Sequence, residues 1–206
     1  MTGSYSYTDF LPARSRKKRK GNGTAGTTSP GAKLQNLRGE LVQDEWFVQC
    51  RQMIDDSLSD LKVPSFTAVI CLGLGSPSSS QNACVQLAFL LEICDYLLIE
   101  RQKISLYDPV FTEEDLTLLQ GLQLAVLPTN ENGLYPVEEP TMVFMPHCDM
   151  ELYENFLKAN WKTDMKLLII ANQLSEYVVN NPLNRLLTMA PFLVQVVPLL
   201  QHYAFP

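Results

Sequence analysis

The sequence lacks the cysteine patterns that mark disulfide frameworks and zinc sites. No Cys-x-x-Cys pair occurs, the number of cysteines is odd, and the chain has only two histidines. Disulfide-stapled secreted domains usually carry an even set, so reduced thiols in an intracellular protein are expected. A structural zinc site is not expected, no haem attachment motif is present, and no cofactor is identified from the sequence. The cysteines are Cys50, Cys71, Cys84, Cys94 and Cys148.

A membrane-spanning run is lacking as well. The most apolar stretch, residues 83–99, contains Glu92 and Asp95, and two acids within one bilayer's width predict a buried helix instead. Residues 1–10 hold no apolar signal core. The chain has 206 residues, of which 46% are apolar, and this is enough for one domain that folds around its own core.

Basic residues are scarce outside one short run near the N-terminus. Residues 1–20 hold six of the sixteen basic residues and one of the twenty-two acids, so residues 21–206 carry a formal charge near −11. A folded part this acidic is not expected to bind nucleic acid through a general phosphate-binding surface, and no sequence-specific nucleic-acid binding is expected. The basic run consists of Arg14, Arg16, Lys17, Lys18, Arg19 and Lys20.

This basic run looks like a nuclear import signal, and its alternative interpretation is a solvated tail without a receptor. A Gly/Thr/Ser-rich stretch follows it at residues 21–31, where little can be buried to offset the entropy of ordering. Residues 1–38 are therefore predicted to be a disordered arm and linker, and residues 39–206 a single domain. Cytoplasm and nucleus are the expected locations.

Helical and strand patterns alternate after residue 39. Apolar residues between Val42 and Leu61 recur at three- and four-residue steps, which predicts one helix beginning near Glu40. Further helices are predicted at Gln81–Arg101, from the Thr112–Asp115 capping box to a left-handed Gly121, and from Asp149 to Asn160. Short apolar runs rich in β-formers predict five strands, at 66–72, 104–107, 122–127, 141–145 and 166–171.

The last part of the chain, residues 175–204, is predicted to be helical in two pieces. Pro191 is expected to start the second piece and Pro198 to bend it, which places His202 in the last helix. Strands alternating with helices predict an α/β protein with a Rossmann-like, mostly parallel sheet of about five strands and helices on both faces.

Ligands of such sheets bind beyond the carboxyl ends of the strands. The residues predicted to meet there are Gly73, Gly75, Ser76, Asp108, His147 and Asn172. Gly73 and Gly75 form a Gly-x-Gly turn in which a ribose or a phosphate could approach the backbone, although Ser78 replaces the third glycine of the dinucleotide pattern. The alternative is a tight turn in which Ser78 or Ser79 caps the next helix.

Asp108 follows the second predicted strand, where dinucleotide-binding folds place an acid for ribose hydroxyls. It lies 33 residues beyond Gly75, and the alternative is a simple Asp-Pro turn. His147 and Cys148 follow the fourth strand and supply a base and a thiol. A hydrogen-bonded histidine at a strand end is the favoured interpretation of His147. No catalytic residue is assigned and no metal site is expected.

The segments at the strand ends also carry a family resemblance. In order and spacing over residues 40–205 they resemble the Sensitivity-to-Red-Light-Reduced-like (SRR-like) domain family. Members usually continue into a further segment, so a final strand is expected to be missing and one sheet edge open. The matching segments are Cys71-Leu72-Gly73-Leu74-Gly75, Tyr107-Asp108-Pro109-Val110-Phe111, His147-Cys148 with Leu152-Tyr153 and Asn155, and Ile169-Ile170-Ala171-Asn172.

The resemblance implies an intracellular regulatory protein with roles in circadian-clock regulation and in the regulation of haem biosynthesis. Protein partners and a sensed nucleotide-like ligand are expected with that role. The alternative is a Rossmann-type small-molecule transferase that uses an adenosine-containing cofactor through the Gly73–Gly75 loop and Asp108. The missing third glycine and the lack of a convincing acid–base pair favour the regulatory protein over the enzyme.

Overall fold

A computed structural model of the chain describes residues 29–162 and 165–206. These residues form an α/β domain with eight α-helices and five strands. The strands are β1 Ala68–Leu72, β2 Ile104–Tyr107, β3 Ala125–Val126, β4 Thr141–Met145 and β5 Leu167–Ala171. The helices are α1 Pro30–Val42, α2 Glu45–Leu61, α3 Gln81–Tyr96, α4 Glu113–Gly121, α5 Met150–Asn160, α6 Leu174–Val179, α7 Leu183–Met189 and α8 Pro191–Val196.

All five strands are parallel, in the order β3-β2-β1-β4-β5. The predicted Rossmann-like sheet is therefore confirmed. Interior strand β4 is buried at every position, as expected for a parallel sheet covered on both faces. The two edges of the sheet are formed by β3 and β5.

Successive side chains of a strand point to opposite faces, and the core divides accordingly. In β4, Met142 and Phe144 join the cluster that includes buried residues of α1, α2 and α3. Val143 and Met145 join the second cluster, which contains buried residues of α5 and α8. Helices therefore cover both faces of the sheet, as the sequence predicts.

The N-terminal boundary of the folded part differs from the prediction. The stretch from Pro30 to Arg38, assigned from sequence to the disordered linker, forms most of α1, so this part of the prediction is wrong. Ser29 caps the helix by accepting a hydrogen bond from the Ala32 amide, and Leu34 is completely buried in the core. The helix begins within the Gly/Thr/Ser-rich stretch 21–31, so the composition of that stretch did not indicate it. Residues 1–28, including the basic run, lie outside the described residues.

Two predicted helix boundaries are also wrong. The single helix expected from Glu40 is interrupted at residues 43–44, where Asp44 accepts a hydrogen bond from the Trp46 amide and starts α2. Helix α3 ends at Tyr96 instead of Arg101, and Leu98 has a left-handed φ of 56° just beyond it. Apolar periodicity continues through both interruptions, so it does not reveal them.

The end of α4 follows another pattern than expected. Gly121 is the last helical residue, and the left-handed conformation belongs to Gln123, with φ of 61°. The strand that follows is only Ala125–Val126, shorter than the predicted 122–127.

The C-terminal region contains three short helices instead of two pieces. Pro191 starts α8 as predicted, and Pro198 lies in the 3-10 turn Val197–Leu199 that follows it. His202 lies beyond this turn in a segment without regular secondary structure, so its predicted place in a helix is wrong.

Candidate functional site

The chain changes direction in the sheet at β1. From β1 it builds β2 and β3 on one side, and it then crosses to place β4 and β5 on the other. The loops after β1 and β4 consequently diverge at a topological switch point, which is where open parallel sheets bind ligands. The two strands pair in register from Ala68 opposite Thr141 to Cys71 opposite Phe144, so their carboxyl ends lie side by side.

Gly73 lies where these two loops touch. Its φ is 70°, and a Cβ atom added to it would lie 2.8 Å from the Cys148 Sγ and 3.3 Å from the carbonyl carbon of His147. A side chain is therefore excluded both by backbone conformation and by space. The Cys148 thiol also donates a hydrogen bond to the Leu72 carbonyl at 3.4 Å. These contacts join the ends of β1 and β4 directly.

Asp108 joins the same loop to the end of β2. Its Oδ2 accepts a hydrogen bond from the Gly75 amide at 2.7 Å, and its Oδ1 accepts one from the Val110 amide at 3.0 Å. Burial raises the pKa of Asp108, and these two amide hydrogen bonds only partly offset the effect. Both carboxylate oxygens therefore already hold backbone groups, which supports the Asp-Pro turn interpretation for this residue.

Asp115 is a site residue that the sequence interpretation missed. This carboxylate is fully buried and accepts hydrogen bonds from the amides of Ser78 and Thr112, each at 2.8 Å. Burial by itself would raise the pKa of Asp115. Hydrogen bonds from Thr112, Ser78 and the Ser76 hydroxyl together outweigh burial, so the net pKa is lowered. The capping box identified Asp115 as a helix start. Its second contact, with Ser78, depends on tertiary structure.

The polar contacts of the loop limit what it can bind. The amides of Gly75 and Ser78 stand at two of the positions that would hold a phosphate in a glycine-rich loop, and each donates instead to a carboxylate. A phosphate at these amides would meet the negative charges of Asp108 and Asp115. The buried Ser76 hydroxyl accepts a hydrogen bond from Ser79 Oγ at 2.6 Å and helps to close the turn.

His147 lies at the surface of this site and contacts a second residue that was missed. The Gln86 Nε2 of α3 is 2.9 Å from the His147 Nε2, so an amide N–H can donate to an unprotonated ring nitrogen. The Gln86 Oε1 is buried and has no hydrogen-bond partner among the described residues. The sequence signal that could have identified it is the position of Gln86 as one of three polar residues, with Glu92 and Asp95, in the apolar run 83–99.

Asn172 is placed further along the sheet, after edge strand β5. Its Nδ2 donates to the Tyr177 hydroxyl at 3.2 Å, and that hydroxyl donates to the Cys148 carbonyl at 3.0 Å. The structure thus brings Gly73, Gly75, Ser76, Asp108 and His147 into one cluster, to which Asn172 connects through Tyr177.

The thiols near the site are poorly suited to nucleophilic attack. Burial raises the pKa of Cys148, and the charges of Asp149 and Asp108 raise it further. Burial likewise raises the pKa of Cys71, and the neighbouring Cys148 raises it further. Both sulfurs are consequently held as thiols near neutral pH, whereas the thiolate is the reactive form.

The described residues contain neither a metal-binding cluster nor a membrane-spanning helix. Within 29–162 and 165–206, no group of three or more His, Cys, Asp or Glu side chains is arranged to hold a metal ion. In the same part of the chain, no helix combines the length and apolar character needed to cross a bilayer.

Comparison with known proteins places the chain in a family. Residues 40–204 match the family model of the SRR1 domain. A mouse SRR1-like protein is 38% identical over 111 residues, which cover 52% of this chain and 45% of the relative. The Drosophila melanogaster SRR1-like protein is 26% identical over 155 residues, covering 74% of this chain and 55% of the relative.

The chain is also similar to a plant protein of the same family. The Arabidopsis thaliana protein SENSITIVITY TO RED LIGHT REDUCED 1 is 31% identical over 111 residues, covering 53% of this chain and 40% of the relative. The chain spans about half the length of the curated relatives it matches. No solved structure matches it. Because the family model matches more than half of its residues, the chain belongs to the SRR1 domain family.

Proposed function

We propose that this protein is a regulator that acts through protein partners in circadian-clock regulation and in the regulation of haem biosynthesis, in the cytoplasm and the nucleus. The observation that carries the proposal is the match of residues 40–204 to the SRR1 domain. The name of the Arabidopsis relative refers to a response to red light, which is in keeping with a regulatory role.

The contacts at the strand ends favour a regulator over a transferase. A Rossmann-type transferase would need Asp108 to hold a ribose and the Gly73–Gly75 loop to receive the cofactor. In this chain the Asp108 carboxylate accepts hydrogen bonds from Gly75 and Val110, and burial raises the pKa of the neighbouring Cys148 thiol. These groups stabilise the loops, so neither the Asp108 carboxylate nor the Cys148 thiol is well suited to bind a cofactor or attack a substrate.

The proposed regulatory ligand is nucleoside-like and carries no phosphate. Carboxylates already occupy the amides of Gly75 and Ser78, so a phosphate would be repelled there. The exposed His147 ring offers a hydrogen-bonding group that suits a base or a hydroxyl.

A thermal-shift comparison tests this ligand class on the purified full chain. Adenosine and adenosylmethionine should raise the melting temperature, whereas ATP at the same concentration should raise it less, because a tighter native-state ligand stabilises the fold more at a given concentration. The His147→Ala variant should lose the shift, and His202→Ala, which changes the other histidine of the chain, should keep it. A larger shift with ATP would contradict the phosphate argument, and turnover of adenosylmethionine would favour the transferase.

The regulatory role is tested in cells that express the protein. Depletion should alter the period or amplitude of a circadian reporter and change cellular haem content, and re-expression of the wild-type chain should restore both. Rescue by His202→Ala but not by His147→Ala would connect the role to the strand-end site. An unaltered rhythm and haem content after depletion would contradict the proposal.

A further inference from the structure

Gln86 lies on the face of α3 that turns toward the loops after β1 and β4. The Ser80 hydroxyl starts this helix by accepting a hydrogen bond from the Ala83 amide, and a Cβ added to Gly75 would lie 3.4 Å from the Ala83 Cβ. Residues three positions apart share one face of a helix, so Gln86 follows Ala83 on this side. The fold thereby places an amide side chain beside His147, which is 61 residues away in the sequence.

The backbone on both sides of His147 is held by tyrosine hydroxyls. The Tyr153 hydroxyl donates to the Met145 carbonyl at 2.6 Å, and the Tyr177 hydroxyl donates to the Cys148 carbonyl at 3.0 Å. These bonds fix the point from which the imidazole ring projects, and the contact with α3 then fixes the ring itself. A side chain supported in this way is ordered before a ligand arrives.

The two ends of the Gln86 amide are in different surroundings. Its Nε2 is 2.9 Å from the His147 Nε2, whereas its Oε1 is buried and has no hydrogen-bond partner among the described residues. Reversing the amide would bury an NH2 group, with two N–H donors to satisfy, in place of one oxygen. Proteins tolerate a buried oxygen without a partner more readily than a buried N–H group without one. The orientation with an N–H toward His147 is therefore the more stable one.

This orientation determines which nitrogen of the neutral His147 ring carries the proton. A neutral imidazole has one N–H donor and one acceptor nitrogen, and the hydrogen bond at one nitrogen selects the form. Because the Gln86 N–H donates, the Nε2 of His147 is the acceptor and the proton lies on Nδ1. His147 is exposed, and no hydrogen bond joins its Nδ1 to a described residue. The Nδ1–H group is therefore available to a ligand.

We propose that Gln86 holds His147 in the Nδ1–H form, and that the ring therefore selects its ligand through a hydrogen-bond acceptor on that ligand. Gln86 is a positioning residue in this arrangement, and His147 contacts the ligand. The second part of the proposal rests on the nucleoside-like ligand proposed above. Ring nitrogens of a purine and hydroxyl oxygens of a ribose are acceptors of the required kind, whereas an exocyclic amino group would face the Nδ1–H group without forming a bond.

Stability alone does not account for the amide at this position. A buried oxygen without a partner costs stability, and an apolar side chain of similar size avoids that cost. Gln86→Leu should consequently melt at the same temperature as the wild type or at a higher one. A melting temperature well below that of the wild type would show that Gln86 serves the fold, and would contradict a positioning role.

NMR of the histidine ring nitrogens in the ligand-free full chain tests the assigned form. Spectra are recorded at about pH 8.5, roughly two units above the ordinary histidine pKa, so that the rings are neutral. His202→Ala identifies the His147 signals, because the chain has only two histidines. The wild type should show a protonated Nδ1, whereas Gln86→Leu should show mainly the Nε2–H form that exposed histidines prefer.

Asn82→Leu is the matched control for the NMR measurement. Asn82 is exposed one turn earlier on α3, so this variant should keep the wild-type spectrum. A protonated Nε2 in the neutral ring of the wild type would overturn the proposal, and this spectrum decides the point even if Gln86→Leu does not fold. The same form in wild type and Gln86→Leu would also overturn it.

Calorimetric titration with adenosine at the same pH tests the selection of an acceptor. Gln86→Leu should bind adenosine about fivefold more weakly than wild type if the Nδ1–H form falls to roughly a fifth of the neutral ring. Asn82→Leu should bind like wild type. His147→Asn keeps an N–H near the place of Nδ1 and should retain binding, whereas His147→Asp puts only acceptor oxygens there and should lose it.

The outcomes separate this inference from the proposed function. Adenosine binding by His147→Asp as tight as that by His147→Asn would overturn the selection of an acceptor, even though the nucleoside-like ligand would stand. A wild type that does not bind adenosine would overturn the proposed ligand and the selection together. The NMR result on the ligand-free chain would still confirm or overturn the role of Gln86.

Discussion

At the scale of single residues, the two glycines after β1 make different demands on the chain. Both have positive φ, 70° at Gly73 and 77° at Gly75. A Cβ on Gly73 would collide with Cys148, whereas a Cβ on Gly75 would meet the Ala83 Cβ at an ordinary 3.4 Å. The structure assigns the tighter steric limit to Gly73.

Alanine at these two positions should therefore have unequal effects. Gly75→Ala should lower the free energy of unfolding by about 1–2 kcal/mol, the cost of a left-handed residue with a Cβ. Gly73→Ala carries the same cost and must also displace Cys148, so a total of roughly 2–4 kcal/mol is expected. Urea denaturation of the two variants measures the difference. Equal losses would show that the loop after β4 moves aside without cost.

Asp115 should contribute a pH-dependent part of the stability. Its pKa in the folded protein is lowered from the ordinary value of 3.8, so the ionised form is favoured by folding. The contribution is complete above pH 3.8 and is lost as the pH falls through the lowered pKa. Asp115→Asn should lower the free energy of unfolding by about 1–3 kcal/mol near pH 7, because buried amides lose their charged partner. The difference in free energy of unfolding between wild type and variant should become smaller as the pH falls.

The measurement is urea denaturation of wild type and Asp115→Asn between about pH 3 and pH 7, with exposed Glu114→Gln on the same helix as control. A difference that stays constant across this range would contradict a role for the Asp115 charge. Asp108 acts in the opposite direction, since burial raises its pKa and its protonation adds stability as the pH falls.

At the scale of elements, α1 is part of the core and not of a linker. Leu34 is fully buried, and Leu37 and Leu41 pack against the same core cluster at helical spacing. The side chain of Arg38 forms ion pairs with Glu92 and Asp95 of α3, both at 2.5 Å. These contacts attach α1 to α3 through both apolar and charged groups.

Truncation of Leu34 tests this attachment. Leu34→Ala should lower the free energy of unfolding by about 2–5 kcal/mol, the usual cost of deleting a fully buried leucine side chain. Leu187→Ala is the matched control, because this helical leucine of α7 is 54% exposed and should change stability little. Chemical denaturation compares the two. Similar small losses in both variants would mean that α1 is dispensable for the domain.

At the scale of the whole molecule, charge divides the chain into two parts of opposite sign. The basic run between Arg14 and Lys20 precedes a region that carries a formal charge near −11. Import receptors recognise short basic runs, so this run is expected to direct part of the protein to the nucleus.

Alanine at Lys17, Lys18, Arg19 and Lys20 should move a fluorescent fusion of the full chain from nucleus to cytoplasm. The physical reason is loss of the positive charges that an acidic receptor groove would bind. Alanine at Ser15, Thr24, Thr27 and Thr28 serves as a control that leaves these charges in place. An unchanged nuclear fraction after the lysine and arginine substitutions would remove the import hypothesis and leave a solvated tail.

Local sequence patterns were sufficient to predict that five strands exist and where several helices start. β4 is predicted at its observed residues 141–145 because a continuous apolar run needs no distant information. The Thr112–Asp115 capping box and the Asp149 cap are also local, since each joins a side chain to an amide three residues away. The meeting of Gly73, Asp108 and His147 follows from parallel topology, because the carboxyl ends of the strands share one edge.

Tertiary structure alone decided which partners these residues take. Asp115 reaches Ser78 across 37 residues and Gln86 reaches His147 across 61, and no local pattern encodes such distances. The burial of Leu34 depends on α3, and the position of residues 203–206 depends on Asp60 and Trp46 of α2. Periodicity records which face of an element is apolar, whereas the group that covers that face is selected only when the elements pack together.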